Sequence, residues 1–344
     1  MIKHMLISKL HQSRGMTLVE LMVAIAITAV VMGLSLSFFL SQYKSYHLRK
    51  GATEITQTAP VALEMIKNDL MEAGWGVHTQ MAFYIQDGGG SGPDRIFIND
   101  TSLIGANEVD RFVGNDCPGC ADIVSVNGKD VTISTLYIAD EKKKEGNEDF
   151  KKGSSMYVMT DAEEITFQGN KITVDKVAKI NEISGNTLTL DRSIDGSSIT
   201  PVIRYACERS EGVLTLRRSD RRTSGRQPMM ENAVDLQVAF STDSGESWFC
   251  DGGHENDQGS NGCPDERVTV RGTSKGNISP AEINLLRVTL VTRSGFRDVS
   301  RIHDPNYCRP AVENRAGAAL GSDECGYHYR THTRVIRPRN FGKH

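Results

Sequence analysis

Cysteine is the first residue type here whose spacing suits chemistry. The chain has seven, Cys117, Cys120, Cys207, Cys250, Cys263, Cys308 and Cys325. Cys117-Pro118-Gly119-Cys120 has the spacing of a redox pair or half a zinc site. No second Cys-x-x-Cys follows, however, and no histidine stands at finger spacing. Carboxylates come next. Asp251, Glu255, Asp257, Asp265 and Glu266 crowd a Gly/Asn-rich stretch. Their hard oxygens suit calcium, but the spacing is not that of an EF-hand, and a solvated loop is the plainer reading. Ser241-Thr242-Asp243-Ser244-Gly245-Glu246-Ser247-Trp248 has the Asp-box pattern, Ser-x-Asp-x-Gly-x-x-Trp. Such a segment closes a β-hairpin: Asp243 bonds turn amides, Gly245 takes the turn conformation and Trp248 packs beneath. A single copy, without paired carboxylates, argues for a turn and not for glycoside hydrolysis. Arg217, Arg218, Arg221, Arg222 and Arg226 form a basic cluster with no interleaved aromatics, read as a solvated loop ahead of a contact to DNA or an acidic partner. His328 and His332 share a face if their segment is a strand, and read as a surface pair. The sequence offers no Ser–His–Asp set and no Walker-type loop, so the chain is not read as an enzyme.

Glu20 is the only charged residue between Met16 and Tyr43. A carboxylate in hydrocarbon costs about 2.5–3.5 kcal/mol even on lenient scales, so it needs a partner. The uncharged run Leu21–Tyr43 spans roughly 34 Å as a helix, enough for a bilayer core. Lys3, Lys9 and Arg14 precede it, which keeps the N-terminus cytoplasmic and puts everything after Tyr43 outside. An ordinary secretory signal is cut after its apolar run, and Ala24-Ile25-Ala26 comes too early for that. Leu48, Ala52, Ile55, Ala59, Ala62, Ile66, Leu70 and Ala73 then recur at spacings of three or four, an apolar stripe on one helical face. One long helix from Met16 to Ala73 is expected, kinked or broken at Pro60 and stopped by Gly74 and Gly76.

The string Arg14-Gly15-Met16-Thr17-Leu18-Val19-Glu20, with the run behind it, resembles the N-terminus of type IV pilins and their relatives. Met16 stands where that family most often has Phe. The resemblance implies cleavage between Gly15 and Met16 by a prepilin peptidase, N-methylation of Met16, and pairing of Glu20 with a neighbouring subunit's amine during assembly. A second, looser resemblance covers most of the chain. Ile66 to Gly74, Val213 to Arg218, Gln227 to Asn232, Val234 to Phe240, Ile283 to Arg293 and Tyr329 to Asn340 follow one another in an order similar to PilW-type minor pilins. The stretches Glu141–Lys152 and Cys250–Cys263 look like insertions in that pattern.

Beyond Gly76 the chain reads mainly as short strands, with turns at Asn127-Gly128-Lys129-Asp130, Gly169-Asn170 and Gly185-Asn186. The Gly-rich stretch from Asp87 to Gly92 lacks the lysine of a phosphate loop and reads as a connector. The expected fold class is α+β and pilin-like, a long N-terminal helix packed on a large β-rich domain. The expected organisation is a leader (1–15), a hydrophobic transmembrane and assembly helix (16–43), its amphipathic continuation (44–74) and a β-rich extracytoplasmic domain with loop insertions (75–344). An external domain makes disulfides the default. Sequence separation suggests Cys250–Cys263, Cys308–Cys325 and Cys117–Cys120, leaving Cys207 free or paired elsewhere. Asp251, Asp257, Asp265 and Glu266 are the calcium candidates, and no other cofactor is implied. A formal net charge of −3 gives no general pull on nucleic acid or anionic lipid. The partners implied by the resemblance are the inner membrane, the prepilin peptidase and other major and minor pilins, with no nucleic acid or small-molecule ligand singled out. The expected role is a minor pilin at or near a pilus tip. A type II secretion pseudopilin and a tip adhesin or DNA-uptake pilin are the alternatives.

Overall fold

The computed structural model describes residues 17–86, 88, 92–101, 117–138, 149–151, 156–162, 165–167, 170–172, 176–210, 212–220, 226–246, 248–250, 283–313 and 315–340. Among the described residues one long helix, α1 (Leu18–Glu72), comes first, and the further regular structure is β or short 3-10 turns. Two compact units divide the chain, Met1–Lys50 and Gly51–His344. In the first, Leu18–Tyr46 is long and apolar enough to cross a membrane and none of it is buried. In the second, Ala59, Ala62, Leu63, Ile66, Leu70 and Ala73 are all buried, so the apolar stripe is the packing face of α1 there.

Pro60 lies inside α1, and the helix continues across it where the sequence suggested a break. Proline removes one backbone donor from the ladder. Packing of Ala59, Ala62 and Leu63 on the core holds the turn regardless. Pro60→Ala restores the donor, at a small cost from a more flexible unfolded chain. We expect it to stabilise the domain by about 1–2 kcal/mol in urea unfolding. The helix stops where Gly74 and Gly76 take φ +85° and +70°. Its last carbonyls do not go unpaired. The Arg339 N–H donates to Met71 O at 3.2 Å and Asn340 Nδ2 donates to Glu72 O at 2.8 Å, so the chain's far end caps α1.

The strands are β1 (Phe83–Gln86), β2 (Arg95–Asn99), β3 (Ala121–Asn127), β4 (Asp130–Ile133), β5 (Tyr157–Thr160), β6 (Ile165–Phe167), β7 (Asn170–Ile172), β8 (Val177–Ser184), β9 (Thr187–Leu190), β10 (Ser198–Ser210), β11 (Val213–Ser219), β12 (Gln227–Glu231), β13 (Ala233–Ser241), β14 (Phe249–Cys250), β15 (Leu285–Arg293) and β16 (Tyr329–Ile336). Ten of them form one sheet along the path β1-β2-β10-β3-β4-β9-β8-β5, with β11 and β12 branching from β10. A second sheet has the order β14-β13-β15-β16, and β6 pairs with β7 alone. The sequence marks no strand at β10, the longest of all. Pro201 interrupts it, and proline is normally excluded from a central strand. The structure accommodates Pro201 where partners change hands: β5 pairs with Ile199 to Val202 and β11 takes over from Arg204, while β3 gives way to β2 on the other side. The turns at Gly128 and Gly185 fall where expected, each with φ near +60° (63° and 56°).

One core joins the α1 stripe to both sheets, through Ile96, Ile98, Ile203 and Leu216 of the large sheet and Leu236, Val238, Leu286 and Val288 of the smaller one. A polar clasp closes its edge. Tyr205 donates its hydroxyl to Asp69 of α1, and Arg218 reaches the same carboxylate from Nη2 at 3.2 Å. Burial pushes the Asp69 carboxyl up, and those two bonds only partly offset it.

The opposite face of the smaller sheet is covered by the segment that follows β15. Cys308 and Cys325 are joined, closing a loop of sequence separation 17. On the chain-entropy model such a bridge contributes roughly 3 kcal/mol. Arg309 and Arg315, from this loop, both reach Asp235 on β13. Arg315 Nη1 lies 3.0 Å from Oδ1 and Arg309 Nη1 3.6 Å from Oδ2, with Asp235 fully buried at 0% exposure. Glu313 of the same loop takes Arg287 of β15 in a fork at 2.8 and 2.6 Å.

Candidate functional site

The site begins at the N-terminal turn of α1. Thr17-Leu18-Val19-Glu20 is a capping box, a Ser/Thr followed three residues on by Glu. The Thr17 N–H donates to Glu20 Oε2 at 2.9 Å and the Glu20 N–H donates to Thr17 Oγ1 at 3.2 Å. The Thr17 hydroxyl donates to Oε2 as well, at 3.0 Å. Two backbone donors that have no intrahelical partner are thus satisfied, which matters most where no water can take their place. Glu20 is exposed, and Oε1 has no hydrogen bond among the described residues. One oxygen therefore ends the helix, and the other takes no hydrogen bond from the described residues. The Thr-x-x-Glu spacing that marks the box is plain in the sequence. Deeper in the run, the Thr28 hydroxyl donates to Ala24 O at 2.7 Å, so that the segment's polar side chain there is satisfied internally. Gly15 and Met16 lie outside the described residues.

Elsewhere the polar candidates resolve mostly into structure. In the Asp-box, the Ser241 hydroxyl accepts from the Gly245 N–H at 2.8 Å and from the Asp243 N–H at 3.3 Å, and donates to Asp243 Oδ1 at 2.7 Å. Gly245 has φ +101° and Trp248 packs beside it, under the Arg287 guanidinium at 4.4 Å. The motif lies between β13 and β14, and Ser241 gathers two of the turn amides. The basic cluster is not a solvated loop where it is described. Arg218 pairs with Asp69 and Asp220, and Arg226 with Glu208 at 2.7 Å. Arg221 and Arg222 lie outside the described residues.

Cys117 and Cys120 are joined to each other. Cys207, on β10, is a half-buried free thiol, and burial raises its pKa far above the usual thiol range. Backbone pairing of Cys250 with Ala239 holds β14 in place. Cys263 and the calcium candidates Asp251, Asp257, Asp265 and Glu266 lie outside the described residues. His328 stacks edge-on to Tyr307 at 4.6 Å, while burial lowers the pKa of His332 with help from Arg330 and Arg334. No group of three or more His, Cys, Asp or Glu among the described residues is placed to hold a metal.

One comparison bears on the N-terminal turn. Residues 10–36 match the prokaryotic N-terminal methylation motif. The match covers Gly15, Met16, the capping box and the first half of the apolar run, and supports the likeness of this segment to type IV prepilins. Together with the single apolar helix it fits a membrane-anchored precursor. A type IV-like pilin from Thermus thermophilus is similar in structure over 43% of this chain and 70% of that one, at 13% identity. The TM-score is 0.22, too loose a correspondence to transfer any detail. No curated protein matches the chain.

Proposed function

We propose that this chain is a minor pilin of a type IV pilus, cut between Gly15 and Met16 by a prepilin peptidase and N-methylated on the new terminus. Before assembly it is held in the inner membrane by the Leu18–Tyr46 helix, with the β-rich domain outside. It then enters the filament at or near the tip, among other pilins. The observation that carries this reading is the methylation motif at residues 10–36 lying over an apolar helix whose first turn carries an exposed carboxylate, Glu20. The size of the unit Gly51–His344 supports a minor over a repeated shaft role, since a bulky domain is hard to pack in a closely stacked rod. The bridges Cys117–Cys120 and Cys308–Cys325 suit an oxidising compartment.

Mass spectrometry of the chain recovered from sheared surface filaments is the direct test. The expected N-terminal peptide starts at Met16 and carries one added methyl group. Retention of Met1–Gly15, or a chain found only in the membrane and never in filaments, would overturn the reading.

A further inference from the structure

The face of the large sheet turned away from α1 carries a recess at the edge of an apolar cluster of Met81, Phe97, Met159, Val177 and Val202. Tyr84 of β1, Phe97 of β2 and Tyr157 of β5 form its apolar wall, with Phe97 at the floor at 2% exposure. Counting the solvent at its mouth, it encloses about 420 Å³. The register builds it: Tyr84 pairs with Phe97 and Phe97 with Arg204, so the three side chains stand in one row across β1, β2 and β10. Phe97 and Tyr157 ring centroids lie 5.5 Å apart, those of Tyr84 and Phe97 6.2 Å.

Arg204 is the unusual member. It lines the recess, yet is only 4% exposed. Glu208 holds its Nη1 at 2.7 Å and the Tyr157 ring lies 4.9 Å from its guanidinium carbon. Its Nε and Nη1, buried too, have no hydrogen-bond acceptor among the described residues, the Glu208 contact being an ion pair. A buried, unpaired guanidinium donor costs free energy unless something completes it. Glu208 occupies one end of the guanidinium, leaving the Nε side of the fork, the geometry that takes a carboxylate with two parallel bonds. Arg95 and Arg192 add positive charge at the rim, and Asp191 is the one carboxylate in the lining.

Asp191 narrows the ligand class. Its Oδ1 accepts the Lys179 N–H at 2.8 Å and lies 3.5 Å from Arg192 Nε, so a further donor would be taken on Oδ2. A bare anion gains nothing from it, whereas a ligand with hydroxyl groups does. Gln86 at the rim, bonded to Arg95 at 3.2 Å, offers an amide for the same purpose. Aromatic walls, a carboxylate fork and a hydroxyl acceptor in one hollow match the groups of a pyranose that bears a carboxylate. We propose that this recess binds an acidic sugar residue, its carboxylate on Arg204 and its ring against Tyr84 and Tyr157.

The test uses the full chain in detergent micelles, titrated by isothermal calorimetry or NMR with glucuronate, glucose and acetate. Glucuronate is expected to bind, and glucose and acetate each to bind at least about tenfold more weakly, since each lacks one half of the recognition. Arg204→Lys keeps the charge but not the fork and is expected to weaken glucuronate about tenfold or more. Should that variant misfold, Tyr84→Ala at the wall and Arg95→Gln at the exposed rim carry the test, each expected to weaken binding severalfold. Glucose or acetate binding as tightly as glucuronate, undetectable glucuronate binding at millimolar concentration, or unchanged affinity in a folded Arg204→Lys protein would overturn the proposal. None of these outcomes depends on cleavage or filament entry.

Discussion

Glu20→Ala is expected to leave cleavage intact and to reduce entry into filaments to a few per cent of the normal level or below, scored by immunoblot of sheared filaments against membranes. Two separate losses follow from this one change. Removing the capping carboxylate frees the Thr17 N–H, a cost of about 1 kcal/mol for the helix end. That alone changes little in a helix whose apolar span runs from Leu18 to Tyr46. The larger loss is the charge. An incoming N-terminal ammonium, drawn along the filament axis into hydrocarbon, needs a counter-ion, and an unpaired charge there costs at least about 2.5–3.5 kcal/mol. Glu20→Gln separates the two. Glutamine can keep the capping box, with its carbonyl oxygen on the Thr17 N–H, but carries no charge. If assembly rests on the ion pair, Gln fails as Ala does. A Gln protein that enters filaments at the normal level would reduce Glu20 to a helix cap and remove the assembly role proposed for it.

The long helix and its buried stripe were legible in the sequence because both depend on a period that repeats. Ala59, Ala62, Ile66, Leu70 and Ala73 are spaced for one face, and that face is the one buried. The β-hairpins at Gly128 and Gly185 were legible for a local reason, since a turn demanding positive φ leaves a glycine behind. What stayed hidden was non-local. β10 contains Pro201, and only the exchange of partner strands at that point makes a proline tolerable. Of the arginines read as a solvated loop, Arg218 meets Asp69 of α1 and Arg226 meets Glu208 of β10, and composition gives no sign of that. The recess at Arg204 depends on a cross-strand row and could be found only once the register was known.

Asp235→Ala should be the most destabilising single change in the outer domain, by about 3–5 kcal/mol in denaturant unfolding. Asp235 sits in the middle of β13, where a strand buried along its whole length would ordinarily carry an apolar side chain. Burial raises its pKa, and Arg315 and Arg309 pull the other way. The pair does not stabilise the fold simply by existing, because desolvating these groups costs about as much as their attraction returns. Removing the acid alone is different. Two guanidiniums, each at most 7% exposed, would then remain inside with Glu324, at 3.1 and 3.5 Å, as their one carboxylate partner among the described residues. Gln237 would also lose the acceptor at 2.9 Å that its amide now uses. Asp235→Asn keeps the shape and an acceptor oxygen and should cost less, about 1–3 kcal/mol. The loop between Cys308 and Cys325 gives a second reading, because it is this ion cluster that ties it to the sheet. Proteolysis of the Ala variant should begin within residues 309–324 while α1's packing on the core is still protected from exchange. A loss under about 1 kcal/mol, or cleavage spread evenly over the domain, would mean that the disulfide and the Arg287–Glu313 fork hold the loop without Asp235.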